Sequence, residues 1–221
     1  MNVRLISYSQ TTENLHVGND LQELVAYSAR VSNPSNQLNS ETSERLLAYL
    51  IKHRHWSPFE MVSACLEIET TRDIARQILR HRSFSFQEFS QRYADPTQDL
   101  EINSLREPRL QDKKNRQNSI ENYDPTLSLE WYKKQAEVVN AAKDSYRWAI
   151  EKGIAKEQAR AVLPEGTTVS RLYMNGTIRS WMHYIEIRSG VETQKEHREV
   201  ALECADAIEP IFPMITQFVT K

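Results

Sequence analysis

The chain is short of cysteine, glycine and long apolar runs, and each shortage closes off a class of protein. Two cysteines in 221 residues, Cys65 and Cys204, cannot build a disulfide scaffold and lack metal-type spacing. Both are expected as buried thiols in a reducing compartment. Five glycines leave no Gly-rich turn between a strand and a helix, so a Rossmann cofactor site is not expected. No apolar run approaches the roughly 18 residues needed to cross a bilayer. Residues 1–10 lack a charged-then-apolar secretory pattern, so the expected location is the cytoplasm, with no membrane partner. A formal net charge of −2 supplies no global field for a nucleic-acid polymer. Any anion site must therefore be built from arginines gathered locally.

What is present is ordinary globular material. Hydrophobic residues at 39% and charged residues at 26% support a packed core, and the length suits one domain over residues 1–221. Residues Val3 to Tyr8 carry strand signal. Helical spacing follows at Leu21, Leu24 and Val25, then at Leu46, Leu47, Leu50 and Ile51, with Ser40 and Thr42 as candidate caps. Val62 to Glu69 alternate like a half-exposed strand, after which Thr70 or Thr71 caps a short helix with Ile74, Ala75, Ile78 and Leu79 inside. Residues 95–127 form a polar insertion, read as a long, mobile surface loop or a partly helical insertion, in which Lys113-Lys114-Asn115-Arg116 is a solvated charged face. A helix from Leu129 to about Ile150 carries Tyr132, Ala136, Val139, Ala142 and Tyr146 as its inner stripe, and a short helix stops at Leu163-Pro164. After Gly166 two helices are expected, from about Ser180 to Arg188 and about Glu192 to Ile208. A few strands with segregated helices argue an α+β fold with a small, mostly antiparallel sheet, not a Rossmann fold.

Residues 80–93 read Arg-His-Arg-Ser-Phe-Ser-Phe-Gln-Glu-Phe-Ser-Gln-Arg-Tyr, concentrating three arginines, a histidine and a carboxylate. At a helix end, Arg80, His81 and Arg82 can simply answer the helix dipole. If the chain is extended from Phe84, then Phe84, Phe86, Glu88, Ser90 and Arg92 share one side; in a helix, Glu88 and Arg92 would pair instead. Arginine offers paired donors to phosphate, serine another donor, and glutamate an acceptor for an imide or hydroxyl. The set suits a phosphorylated ligand with a polar ring. The same arginines with Phe84, Phe86 and Tyr93 could serve a single-stranded nucleic acid, although the net charge and the central Glu88 oppose it. His53, His55 and Glu60 are a thin basis for a metal site, and no metal is expected.

The run resembles the signature of the flavin-dependent thymidylate synthases, with Gln87 standing where that signature has Asn. Further blocks agree in order along the chain: Ala29-Arg30-Val31-Ser32, residues 55–60, Ala75-Arg76-Gln77, Glu157 to Arg160 with Leu163-Pro164, and Arg179 through His183 to Arg188. Met61 stands where a histidine often follows, and Thr177 where an Asn is common. The resemblance implies a homotetramer with active sites shared between subunits. It further implies methylation of dUMP to dTMP, with methylenetetrahydrofolate as carbon donor and NADPH as reductant through FAD, releasing tetrahydrofolate. By position, Ser32, Ser57, Arg80, His81, Arg82, Glu88, Arg179 and His183 would contact FAD. Gln77, Arg80, Glu88, Ser90, Arg92, Arg160 and Arg188 would contact dUMP, and His55 and Tyr93 fall where folate or nicotinamide could stack. Arg188 corresponds to the residue that stabilises negative charge on the uracil ring, and it is the one expected catalytic residue. On an ideal helix it shares a face with Trp181, Tyr184 and Ile185, expected as core, rather than with Arg179 and His183. Gln194, Glu196, His197 and Arg198 form another block seen in relatives, which a polar helix start explains equally well.

Overall fold

A computed structural model describes residues 2–12, 15, 17, 20–100 and 102–220. In chain order the elements are β1 (Asn2–Tyr8), α1 (Leu21–Ala29), α2 (Ser43–Lys52), β2 (Ser63–Thr71), α3 (Arg72–Ile78), β3 (Ser85–Glu88) and α4 (Pro96–Asp99). Then come β4 (Leu110–Gln111), β5 (Ser119–Ile120), α5 (Pro125–Glu151), α6 (Lys156–Ala159), β6 (Val169–Thr177), α7 (Ile178–Arg188) and α8 (Lys195–Ile208). Four strands make an antiparallel sheet in the order β1-β2-β6-β3, and among the described residues β4 pairs only with β5. This is the expected α+β arrangement. Among the described residues no helix is long and apolar enough to cross a membrane.

Alternation decides which face of the sheet is covered. Ala64, Leu66 and Ile68 of β2 and Leu172 and Met174 of β6 are buried in one core with Trp181, Ile185, Val200, Ala201 and Cys204. Each fully buried large aliphatic side chain contributes roughly 1.5–3 kcal/mol. The opposite face holds polar pairs: Arg4 with Glu67 at 2.7 Å, and Arg171 with Glu69. Cys65 lies on that second face and is only partly buried, because the strand period turns it away from the core; Cys204 is fully buried as expected. In β1 the register passes from Leu5 opposite Leu66 to Ser7 opposite Cys65, leaving Ile6 unpaired as a bulge.

The central strand β6 is the main difference from the sequence reading, which has helices and no strand after Gly166. Its inward positions are Ser170, Leu172, Met174 and Gly176, all buried, so half of its core face is small or polar. Gly176 is required by contact: a Cβ there would lie 2.4 Å from Cδ1 of Phe84. Strand β3 runs antiparallel to β6 from Ser85 opposite Asn175 to Glu88 opposite Leu172 and then ends.

Asp20 caps α1 by accepting from the Glu23 N–H, Asp124 caps α5 ahead of Pro125, and Thr177 caps α7 through the Ser180 N–H. Thr42 and Thr71 occupy N-cap positions, but neither side chain bonds a helix N–H; the Thr71 hydroxyl bonds Asp73 instead. Ser40 lies outside α2. The buried stripe of α5 is Gln135, Val139, Ala142, Tyr146 and Ala149. Tyr132 is exposed and Ala136 only half-buried. The stripe shifts because the helix packs on the polar insertion: Gln135 accepts from the Arg106 N–H and donates to its carbonyl, each at 2.8 Å. The insertion is tethered further by Arg106 to Asp73 at 2.8 Å and to Glu196 at 3.3 Å. Its Lys113–Arg116 run is exposed.

Candidate active site

The turn joining α3 to β3 lies against α7, because Ser180 Oγ donates to the Ser83 carbonyl at 3.2 Å and the Phe84 ring packs on Trp181 with centroids 4.8 Å apart. Between that turn and α7 opens a cavity of about 790 Å³ lined by Arg54, Arg80, Arg82, Arg179 and Arg188 with His81, His183 and Glu186, and by apolar Trp56, Met182 and Phe218. Only Arg179 among these arginines has a carboxylate partner among the described residues, Glu60 at 3.4 Å. A chain of net charge −2 thus concentrates positive charge in one concave place. Arg54, which no sequence pattern singles out, arrives there through a left-handed backbone with φ 57° just after α2.

Arg188 Nε donates to Nε2 of His81 at 3.0 Å. Burial, then the charges of Arg188, His183 and Arg80, lower the His81 pKa from 6.5 to about 4. His81 is therefore neutral near pH 7, carries its proton on Nδ1, and uses Nε2 as an acceptor. That bond fixes the guanidinium through Nε and leaves its two terminal nitrogens for a ligand. Trp181 and Tyr184 are fully buried, as expected. His81 meets Tyr184 edge-on at 4.9 Å, so Arg188 stays on the Tyr184 side of α7 and still reaches the cavity that holds Arg179 and His183. The helix thus lines one cavity with two of its faces.

Other expected site residues lie elsewhere. The chain does not stay extended to Arg92: β3 stops at Glu88, and the Tyr93 and Ala94 N–H groups both turn back to the Ser90 carbonyl. Glu88 accepts from Ser170 Oγ at 2.9 Å and faces Arg72 at 3.6 Å and Arg76 at 3.4 Å, so no Glu88–Arg92 pair forms. Arg92 pairs with Glu157 at 3.3 Å, and Lys156 Nζ donates to the Tyr93 carbonyl. Ser90, Arg92 and Tyr93 are thereby drawn toward α6, which leads directly into Arg160. Ser32 and Ser57 are exposed and absent from the cavity lining. His55 is exposed beside Tyr49 and His53, and Tyr93 is 79% exposed. Gln77 bonds Gln194 and His197. Among the described residues no group of His, Cys, Asp and Glu is placed to hold a metal ion.

A larger cavity, about 1000 Å³, includes Thr70, Arg106, Arg171, Lys195 and Glu196 in its walls. Its cations are already spent on carboxylates: Arg106 on Asp73 and Glu196, Arg171 on Glu69, and Lys195 on Glu107. Neutralised pairs leave little field for an anion, so the smaller cavity is the better anion site.

Residues 12–214 match the family described as "Thymidylate synthase complementing protein". The chain is 45% identical over 217 residues to a "Probable flavin-dependent thymidylate synthase" of Paramecium bursaria Chlorella virus 1, covering 98% of each chain. It is 47% identical over 217 residues to a flavin-dependent thymidylate synthase of Synechocystis sp., covering 97% of each. A crystal structure of PolB, a UMP/dUMP methylase from Streptomyces cacaoi bound with 5-Br dUMP, is similar in fold. Its TM-score is 0.79 at 25% identity, covering 98% of this chain and 93% of that one. Near-complete coverage, with the arginine-rich turn folded into a cationic cavity, shows that the chain belongs to the flavin-dependent thymidylate synthase family.

Proposed function

We propose that this chain methylates dUMP to dTMP, taking the methylene carbon from methylenetetrahydrofolate and reducing equivalents from NADPH through FAD. The reaction balances as dUMP, methylenetetrahydrofolate, NADPH and a proton giving dTMP, tetrahydrofolate and NADP⁺. The observation that carries the reading is the cavity between the Arg80–Ser83 turn and α7 in a member of this family. Its chemistry fits FAD: Arg54, Arg80 and Arg82 suit a pyrophosphate, while Trp56, Met182 and Phe218 offer apolar walls for rings. His81, Arg179 and His183 line the same space, and Ser32, Ser57 and Glu88 are assigned to FAD by family position. Bound FAD supplies hydride transfer.

The protein's own part is electrostatic. Arg188, aimed by His81, stabilises the negative charge that develops on the uracil ring as C5 becomes nucleophilic, and no protein nucleophile is needed. Burial raises the pKa of both Cys65 and Cys204, which keeps them protonated and poor nucleophiles. The phosphate of dUMP is assigned to Ser90, Arg92 and Arg160, with Gln77, Arg80 and Glu88 completing the nucleotide site and His55 and Tyr93 stacking on folate or nicotinamide. Arg92 is held near α6 by Glu157 and is not among the residues lining the cavity that holds Arg188, so a complete site calls for more than one copy. A homotetramer with shared sites meets that need. The exposed Leu127, Trp131, Val138 and Trp148 along α5 supply apolar surface for assembly. Residues 1–221 act as one domain of a cytoplasmic enzyme.

The test is the visible spectrum of the purified protein, then anaerobic NADPH with and without dUMP, then methylenetetrahydrofolate. Flavin bands that bleach, followed by dTMP, support the reading. A colourless protein that FAD cannot reconstitute overturns it.

A further inference from the structure

His197 is fully buried on α8, and the reaction as described makes no use of it. Its ring nevertheless sits in an unbroken chain of side chains. Its Nε2 lies 3.2 Å from the Tyr184 hydroxyl and its Nδ1 lies 3.2 Å from Oε1 of Gln77. Gln77 Nε2 donates to Gln194 Oε1 at 2.8 Å, and Gln194 Nε2 donates to Glu196 Oε2 at 2.9 Å.

The direction of every bond in that chain follows from its last member. Burial alone would raise the Glu196 pKa, but its own backbone N–H, Gln194, Arg106 and Arg109 outweigh burial and hold it below the ordinary value. A carboxylate has only acceptors, so Gln194 must turn its NH₂ toward Glu196 and its oxygen toward Gln77. Gln77 must then answer with its own NH₂ and turn its oxygen to His197. That oxygen can only accept, so His197 carries its proton on Nδ1. Burial, then Arg188 and His81, lower the His197 pKa to about 3, so the ring is neutral and its bare Nε2 accepts from Tyr184. No alternative amide flip or tautomer satisfies all four contacts.

We propose that His197 is a positioning residue: with the direction of the chain set from Glu196 through Gln194, it anchors the Gln77 oxygen, so that the amide's remaining Nε2 hydrogen is presented to an acceptor oxygen of the nucleotide. This rests on the reading above that Gln77 touches dUMP. The lock makes the site select a ligand acceptor at that point, because a donor there would meet another donor. Through Glu196 it also ties that orientation to Arg106 and Arg109 of the polar insertion.

The FAD-loaded protein tests this through steady-state kinetics, thermal melting and histidine ring ¹⁵N shifts. His197→Leu, which removes both ring bonds, is expected to raise the dUMP KM roughly tenfold with kcat within about twofold. His197→Asn keeps a donor at the Nδ1 position; it should melt as early as the leucine variant yet hold KM within about threefold of the parent. The His197 ring, assigned by its loss in the leucine variant, should show a protonated Nδ1 and a bare Nε2. An unchanged KM in His197→Leu, a KM that tracks melting temperature across both variants, or a protonated Nε2 overturns the proposal. Gln77→Leu separates the two levels. If it leaves the dUMP KM at the parent value, the role of Gln77 itself falls. If it raises KM while His197→Leu does not, only the role of His197 falls.

Discussion

Alanine at position 176 is expected to lower stability by about 2 kcal/mol, through contacts of a single methyl group. The new Cβ would sit 2.4 Å from Cδ1 and 2.6 Å from Cε1 of Phe84. The ring has little room to retreat, since it is only 9% exposed and packs against Trp181 and Tyr184 at 4.8 and 6.0 Å. Overpacking of this kind costs about 1–3 kcal/mol, and weakening the aromatic contacts adds about 0.5–1.5 kcal/mol. Loss of glycine's freedom in the unfolded chain offsets about 0.4–1 kcal/mol of that. For a chain of this size, each kcal/mol moves the melting temperature by roughly 2–4 °C, which gives a drop of roughly 4–8 °C. The assay is thermal unfolding of FAD-loaded Gly176→Ala, Phe84→Leu and the double variant. If the methyl–ring clash is the cause, the double variant loses at least about 1 kcal/mol less than the two single losses summed. A Gly176→Ala protein that melts within about one degree of the parent, or strictly additive losses, would refute the reasoning.

Arg188→Ala should retain bound flavin while slowing single-turnover methyl transfer by about 10²–10³-fold, and normal turnover would remove Arg188 from the catalytic role. His81 and His197, with folded-state pKa values of about 4 and about 3 against an ordinary 6.5, are neutral in the folded protein. The stability they contribute is fully present above pH 6.5 and is lost as pH falls through those folded values, because the unfolded chain binds protons first. Melting temperature should therefore fall on acidification from pH 6.5, less steeply in His197→Asn, and equal slopes would refute this. If sites are shared between copies, Arg188→Ala and Arg160→Ala are each inactive alone. Refolded together in equal amounts, they recover about a quarter of parental activity, whereas hybrids with no activity would place each site within one chain.

The sequence exposes what local pattern can carry. Strand β2 is legible because Ala64, Leu66 and Ile68 alternate with polar neighbours, and α8 because Val200, Ala201, Cys204, Ala205 and Ile208 keep helical spacing. Strand β6 is hidden because two of its inward positions answer to distant partners: Ser170 serves Glu88, and Gly176 makes room for Phe84. The α5 stripe shifts for the same kind of reason, Gln135 being buried by bonds to Arg106 rather than by apolarity. The arginine run is visible as composition, yet its separation at Glu88 is decided by where pairing with β6 ends. Arg54 and His197 gain their roles from a backbone angle and from partners 120 and 13 positions away, neither of which a spacing rule detects.

The bulge at Ile6 bears on how the molecule avoids sticking to itself. A four-stranded open sheet has two free edges, and a regular seven-residue edge such as β1 would be a template for another chain's strand. One unpaired residue breaks the even spacing of outward N–H and C=O groups, so an incoming strand cannot stay in register along it. The other edge, β3, is four residues long and ends in a turn, too short to template growth. Deleting Ile6 would straighten the first edge and leave it open to pairing with another chain's strand.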